Sequence, residues 1–312
     1  MNATVIGSGM MGPGIAGTLA LGGVHATILS RTEQGAQKGL HMAHQQLTLL
    51  EENGIASPEK CKWAIENIKA STDFDSSVAS ADVVIESAPE NMEFKQELFA
   101  RLDAISKPDA ILASNTSGLS ITAIASRCTR PERVVTTHFW NPPHLMPLVE
   151  IVKGEKTADH VVQAIRELLL TCGKVPVVVK KDRPGQLGNR LQMALVREAV
   201  NIVQEGIADV EDVDLAAKSG FGLRLPVYGI FEHQDIVGLD MGLSIVDYVS
   251  TDLYAEPRAP QLMHDLVKNG NLGAKTGKGF YDWSIKDADA VKARRDRFVL
   301  EFLKNWMTRP VQ

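Results

Sequence analysis

The chain opens with a short apolar run, Ala3-Thr4-Val5-Ile6, then glycines, then a longer apolar stretch reaching Leu21. A brief apolar run bounded by turn formers reads as a buried strand, and the longer stretch after it as a helix. The alternation repeats. Residues 24–29 form a strand. Residues 35–53 carry Leu40, Ala43, Leu47 and Leu50 near helical spacing, and 60–68 give a shorter helix. Asp82-Val83-Val84-Ile85, Ala110-Ile111-Leu112-Ala113 and Arg133-Val134-Val135-Thr136 read as strands, interleaved with helices over 92–105 and 120–126. Strands alternating with helices predict a largely parallel sheet covered on both faces. Val175-Pro176-Val177-Val178-Val179 is expected to close this part, and Lys181-Asp182-Arg183-Pro184-Gly185 breaks the pattern.

Beyond the break the period changes. Leu187, Leu191, Leu195, Ala199, Ile202 and Val203 mark one face of a long helix through 206. Further helices are expected over 210–219, 232–253 with an interruption at Gly238, 261–269 and 291–307. A glycine-rich stretch, 272–283, lacks phosphate-loop spacing and reads as a turn before the closing helix. The expected architecture is an α/β domain over 1–185 followed by an all-α domain over 186–312. Two domains also suit 312 residues, at ~150 per domain.

Composition narrows the classes. With 44% hydrophobic and 23% charged residues the chain is an ordinary globular protein, and a net charge of -5 argues against nucleic acid as a partner. No window approaches the ~20 apolar residues of a membrane helix, and a first strand at residue 3 leaves no room for a signal peptide. Cys61, Cys128 and Cys172 show no paired spacing and read as free thiols of a cytoplasmic protein. The eight histidines show no metal-ligand spacing.

The first turn carries specific chemistry. In Gly7-Ser8-Gly9-Met10-Met11-Gly12, Gly7 permits a sharp exit from the strand, Gly9 lets a pyrophosphate approach the backbone, and Gly12 allows close helix–strand packing. The helix start then offers free N–H groups, with Pro13 suited to the first turn. The second strand ends in Ser30-Arg31, where NAD binders usually carry an acid; serine and arginine would welcome a 2′-phosphate, which favours NADP. Glu33 is close enough to serve as a displaced ribose ligand, so NAD stays open.

Three successive strand ends carry polar residues: Glu86-Ser87-Ala88-Pro89-Glu90, Ser114-Asn115-Thr116-Ser117-Gly118, and Thr137-His138-Phe139-Trp140-Asn141. Ligands of such sheets bind at the carboxyl ends of strands. Glu150 lies in the apolar run Leu148-Val149-Glu150-Ile151-Val152, and His138 and Glu150 are symmetric about His144. A chain reversal at Asn141-Pro142-Pro143-His144 would set them face to face. A carboxylate beside an imidazole fixes its tautomer, as a general acid/base needs; a buried structural ion pair is the alternative.

These segments, with Asn189-Arg190, Val237-Gly238-Leu239-Asp240 and Gly277-Lys278-Gly279-Phe280-Tyr281, resemble the 3-hydroxyacyl-CoA dehydrogenase family along essentially the whole chain. The resemblance implies a Rossmann-type nucleotide domain, a helical domain forming a homodimer interface, and NAD or NADP as cofactor. It implies His138 as acid/base, Glu150 as its partner, Ser117 and Asn189 on the substrate oxygen, and Asn141 in support. Glu90, Lys95 and Asn115 join Gly7, Gly9, Met10, Met11, Gly12, Ser30 and Arg31 as cofactor-binding candidates. Three departures bear on the substrate. Ser30 replaces the usual acid, Gln186 stands where Phe often follows Pro-Gly, and 32–53 offers few cations for coenzyme A beyond Lys38. Asn141-Pro142-Pro143 and Gly222-Leu223-Arg224 look more like the branch holding L-gulonate, carnitine and pyridoxine-breakdown dehydrogenases.

The expected activity is hydride transfer between a nicotinamide and the 3-hydroxyl or 3-oxo group of an acyl-CoA or a related hydroxy acid. A dehydrogenase of a small free hydroxy acid is the alternative, and a crystallin-like or nucleotide-sensing protein is the alternative of another class. Arg224 is expected either to clamp a substrate carboxylate or to pair internally with Glu232 or Asp235.

Overall fold

In the computed structural model, which describes residues 1–306, the chain starts with β1 (Asn2–Ile6), the glycine turn and α1 (Gly12–Leu21). There follow β2 (His25–Leu29), α2 (Glu33–Glu52), α3 (Pro58–Glu66), β3 (Ile68–Ser71), α4 (Phe74–Ser80), β4 (Val83–Glu86), α5 (Met92–Ile105) and β5 (Ile111–Ser114). Then come α6 (Ile121–Ile124), β6 (Val134–Phe139), β7 (Leu148–Val152), α7 (Asp159–Thr171) and β8 (Val175–Val179). The eight strands form one sheet in the order β3-β2-β1-β4-β5-β6-β7-β8. Neighbours run parallel except β6 and β7, which pair antiparallel.

Successive residues of a strand face opposite sides of the sheet, and both sides are apolar here. Val83 and Ile85 pack with Ile15, Leu19 and Leu47 on one face. Val84 packs with Phe99, Leu102 and Leu112 on the other. This is why the central strands read as continuous apolar runs rather than as alternating ones. Helix starts are set locally: Thr32, Ser57, Asp73 and Asn91 each accept a hydrogen bond from the N–H three residues on, capping α2, α3, α4 and α5.

Before β8, three elements go beyond what the pattern predicts. β3 has only Ile68 buried, so it carries no apolar run. α4 is seven residues long. α7 did carry a signal: Val161, Val162, Ile165, Leu168 and Leu169 are its buried face at helical spacing.

The chain divides into two compact units, Met1–Arg190 with the chain from Arg294 onward, and Leu191–Ala293. The division falls inside α8 (Gly188–Gln204), and the expected boundary at 185 lies just before this helix. The last helix also returns to the first unit, where Leu300 packs with Leu50 and Leu145. The second unit holds most of α8, then α9 (Val210–Ser219), α10 (Phe221–Arg224), α11 (Ile230–Val237), α12 (Leu239–Ser250), α13 (Gln261–Lys268) and the start of α14 (Ala288–Trp306). The predicted interruption at Gly238 is a full break with φ +101°, a conformation open to glycine. The 272–283 stretch is a turn whose Tyr281 hydroxyl donates to Asp214 at 2.9 Å, with the Lys286 ammonium 3.2 Å from the Tyr281 ring centre. Met307, the expected end of the last helix, lies outside the described residues. No helix among the described residues is long and apolar enough to cross a membrane.

Candidate active site

The glycine turn shows a separate physical demand at each position. Gly7 has φ +118°, and a Cβ there would lie 2.5 Å from the Ser87 carbonyl oxygen. A Cβ on Gly12 would lie 1.8 Å from the Gly7 carbonyl oxygen, so helix and strand meet closer than any side chain allows. Gly9 is the opposite: a Cβ there would meet nothing within 4 Å. The backbone is thus tight where it folds and open where a ligand would approach. α1 has Met11 at its N-cap, makes no side-chain cap hydrogen bond there and carries no acid in its first turn. Its unpaired N–H groups and the positive end of its dipole suit a pyrophosphate. Met10 is exposed beside the turn, while Met11 packs on the core. At the end of β2, the Ser30 hydroxyl is hydrogen-bonded to the Ser8 hydroxyl at 3.0 Å, tying the turn to the second strand. Arg31 is exposed. These residues fit a dinucleotide.

The ends of β4 and β5 are locked together by a polar network. Glu86 is fully buried; it pairs with the Lys95 ammonium at 2.6 Å and accepts from the Ser114 hydroxyl at 2.6 Å. Lys95 also lies 3.5 Å from Glu90. Glu90 accepts from the Thr116 hydroxyl at 2.8 Å and from the Ser117 N–H at 2.6 Å. Lys95, expected at the cofactor, is 1% exposed and committed to these carboxylates, because the buried Glu86 needs a cation. Asn115 uses its side-chain oxygen to accept from the Phe139 N–H at 2.8 Å, fixing β5 against β6.

β6 and β7 form the expected reversal. His138 stands directly opposite Glu150 in the register, and His138 Nδ1 is 2.7 Å from Glu150 Oε2. Glu150 accepts three further bonds: from Trp140 Nε1 at 3.0 Å, from the Leu187 N–H at 2.9 Å and from the Gly188 N–H at 2.8 Å. Burial alone would raise its carboxyl; the bonds from His138, Gly188, Trp140 and Leu187 outweigh burial and hold it at about 2. Glu150 is therefore ionised near neutral pH. An ionised carboxylate only accepts, so Nδ1 carries a proton and Nε2 is the basic nitrogen of His138.

The turn between the two strands is clamped by a residue that sequence reasoning passed over. The Lys174 ammonium donates to the Pro143 carbonyl at 2.6 Å and the Met146 carbonyl at 3.0 Å. Burial and this cation push the neighbouring His144 down to about 4. Asn141 is exposed at the start of this turn. Asn189 donates through Nδ2 to the Ser117 carbonyl at 2.9 Å. It directly follows Gly188, whose N–H holds Glu150, so the start of α8 touches both the Ser117 loop and the carboxylate that orients His138. Gly188 is needed there, since a Cβ would lie 2.5 Å from the Trp140 ring. Arg224 is exposed in the second unit, and no ion pair joins it to Glu232 or Asp235 among the described residues. Glu232 instead accepts from the Gly229 N–H.

A glycine turn open to a dinucleotide, and an imidazole oriented by a carboxylate at the carboxyl ends of the same sheet, define a nicotinamide-dependent dehydrogenase acting on CH–OH groups. The chain belongs to the 3-hydroxyacyl-CoA dehydrogenase family: the NAD-binding domain of that family matches residues 2–183 and its C-terminal domain residues 185–283. It is 35% identical over 296 residues to 5-formyl-3-hydroxy-2-methylpyridine 4-carboxylate 5-dehydrogenase of Mesorhizobium japonicum, covering 95% of each chain. It is 38% identical over 283 residues to a probable 3-hydroxybutyryl-CoA dehydrogenase of Bacillus subtilis, covering 90% of this chain and 97% of the other. A crystal structure of the former activity, described as an NAD+-dependent dismutase, superposes with a TM-score of 0.91 at 34% identity over 99% of each chain. For the (S)-3-hydroxybutyryl-CoA dehydrogenase of Ralstonia eutropha the TM-score is 0.75 at 33% identity, covering 90% of this chain and 98% of that one.

Proposed function

We propose that this protein moves hydride between a nicotinamide and the 3-hydroxyl or 3-oxo group of a 3-hydroxy acid or its coenzyme A thioester. The observation that carries the reading is the 2.7 Å contact of His138 Nδ1 with a carboxylate held at about 2. When bound, the nicotinamide supplies the hydride acceptor at C4. His138 Nε2 takes the hydroxyl proton, and Glu150 stabilises the imidazolium that results. Ser117 and Asn189 bind the reacting oxygen, and Asn141 supports the site. Glu90 and Lys95 brace the Ser117 loop beside the cofactor.

A free hydroxy acid is the second reading, favoured by the closer superposition on the pyridine-carboxylate enzyme than on the thioester enzyme. Arg224, exposed and without an ion pair to its acidic neighbours, is then the clamp for the substrate carboxylate. Ser30 and the exposed Arg31 favour NADPH over NADH. Cys61, Cys128 and Cys172 are free thiols, which suits a reducing cytoplasm. The apolar side chains exposed along α12 suit a homodimer.

The test is turnover of acetoacetyl-CoA and free 3-oxo acids with NADH and with NADPH. His138→Gln is expected to lower kcat by ~10²–10⁴ with little change in cofactor affinity. Near-normal kcat in that variant would sink the mechanism. Arg224→Met is expected to raise KM about tenfold for the free acid only, the scale of one charge-assisted hydrogen bond.

A further inference from the structure

Lys174 lies between α7 and β8 and is buried, at 7% exposure. No carboxylate pairs with it among the described residues, and burial pushes its ammonium down to about 8. A buried cation without a counter-charge is costly, and an apolar side chain of similar length would fill the same space without that cost. Packing alone therefore does not account for a lysine here. What the ammonium does is donate to two carbonyls, Pro143 at 2.6 Å and Met146 at 3.0 Å. Three N–H donors when charged, or two when neutral, suffice for both carbonyls.

Both carbonyls belong to the turn that joins the strand of His138 to the strand of Glu150. That turn also touches α1, the helix of the glycine turn. A Cβ on Gly14 would lie 2.6 Å from Pro143 Cγ and 3.3 Å from the His144 backbone nitrogen. Gly14 is two residues past Gly12, in the first turn of α1. The hairpin that carries the imidazole therefore rests on the helix whose N–H groups suit a pyrophosphate, with no side chain between them. Other contacts keep this turn packed: Leu145 lies against Leu50 and Leu300, and the Leu145 and Met146 N–H groups donate to the Pro142 carbonyl at 3.0 and 2.9 Å. Lys174 adds a hold on the Pro143 and Met146 carbonyls themselves.

We propose that Lys174 is a positioning residue: by holding these two carbonyls it keeps the β6–β7 turn seated on Gly14 of α1, and so fixes where His138 stands relative to a dinucleotide bound at the glycine turn. The inference rests on the hydride-transfer reading above. Hydride and proton transfer depend steeply on the placement of the reacting groups, and a small displacement set up away from the chemistry costs up to ~10²-fold in rate. Cofactor affinity does not share that dependence, because the glycine turn itself is left intact.

The experiment compares the full-length wild type with Lys174→Met, which keeps the length of the side chain and removes its donors. Hydride transfer is followed in a single turnover by the loss of reduced-cofactor absorbance, with whichever of acetoacetyl-CoA and 3-oxobutanoate the wild type reduces. The rate in the variant is expected to fall about tenfold or more, with cofactor affinity near wild type. In the cofactor-free protein, the Leu145 and Met146 amides are expected to exchange their hydrogens faster than in wild type. A merely structural role would lower the amplitude, the fraction of chains that react, and leave the rate of the reacting chains unchanged; that result overturns the proposal. Unchanged amide exchange overturns it too. Should Lys174→Met fail to fold, Gly14→Ala decides: its Cβ displaces the turn while Lys174 stays in place, so the hydride step is expected to slow in the same way, and a wild-type rate overturns the proposal. All of these outcomes leave the hydride-transfer reading standing. A wild type that reduces neither probe overturns that reading and the proposal together.

Discussion

Glu150 concentrates the electrostatics of the site in one carboxylate. Four donors converge on it, and only His138 and Trp140 are near it in sequence. Its carboxyl is depressed from 4.5 to about 2, despite burial that pushes the other way. A depressed carboxylate stabilises the fold above its unfolded value, and that contribution is lost as pH falls from about 4.5 toward 2. Glu150→Gln therefore has two expected outcomes. kcat falls by ~10²–10⁴, because the imidazolium loses its counter-charge. Stability at neutral pH drops by on the order of 2–3 kcal/mol, and the acid-side decline of melting temperature between pH 5 and 2.5 flattens. Thermal melts across that range, beside wild type, check the second outcome. An acid profile identical to wild type would mean that Glu150 is not the carboxylate being titrated.

At the scale of elements, the β1–α1 turn and the β6–β7 hairpin do different work. The turn separates folding from binding at two of its glycines. Gly12→Ala sets a Cβ against the Gly7 backbone, which cannot yield, so the unit itself is expected to lose stability. Gly9→Ala meets open space, so the melting temperature is expected to stay near wild type while dinucleotide affinity falls about tenfold, since the added methyl occupies the approach of the pyrophosphate. Calorimetric melts and cofactor titration separate the two; unchanged affinity in Gly9→Ala would remove the turn from the binding site. Both elements were legible in the sequence. The turn has its glycines in the right context, and the hairpin has a histidine and a glutamate equidistant from its turn. The rest was not, because it depends on contacts distant in the chain. Lys95 is expected at the cofactor until Glu86, at the end of β4, is seen beneath it. The amides that hold Glu150 come from 37 and 38 residues away.

At the scale of the molecule, the two units carry different kinds of residue. The glycine turn, His138, Glu150, Ser117 and Asn189 all lie within the first unit. The second unit leaves a row of apolar side chains in solvent. On α12, Leu239, Leu243 and Val246 follow one another at helical spacing on one face, each more than half exposed. Exposed apolar patches of this kind are characteristic of subunit interfaces, and a twofold pair of identical chains covers such a face with its own copy. The wild-type chain is thus expected to sediment as a dimer at micromolar concentration. Leu243→Asp combined with Val246→Asp would bury two carboxylates against the partner, a cost of several kcal/mol without a compensating cation, so the double variant is expected to be monomeric. Its melting temperature should fall, since association stabilises each subunit by mass action. Cofactor affinity should stay near wild type, because the glycine turn is built within the first unit. Sedimentation velocity and cofactor titration on the same sample decide the matter. A monomeric wild-type chain would assign α12 another partner, and a double variant that stays dimeric would move the interface to another face of the second unit.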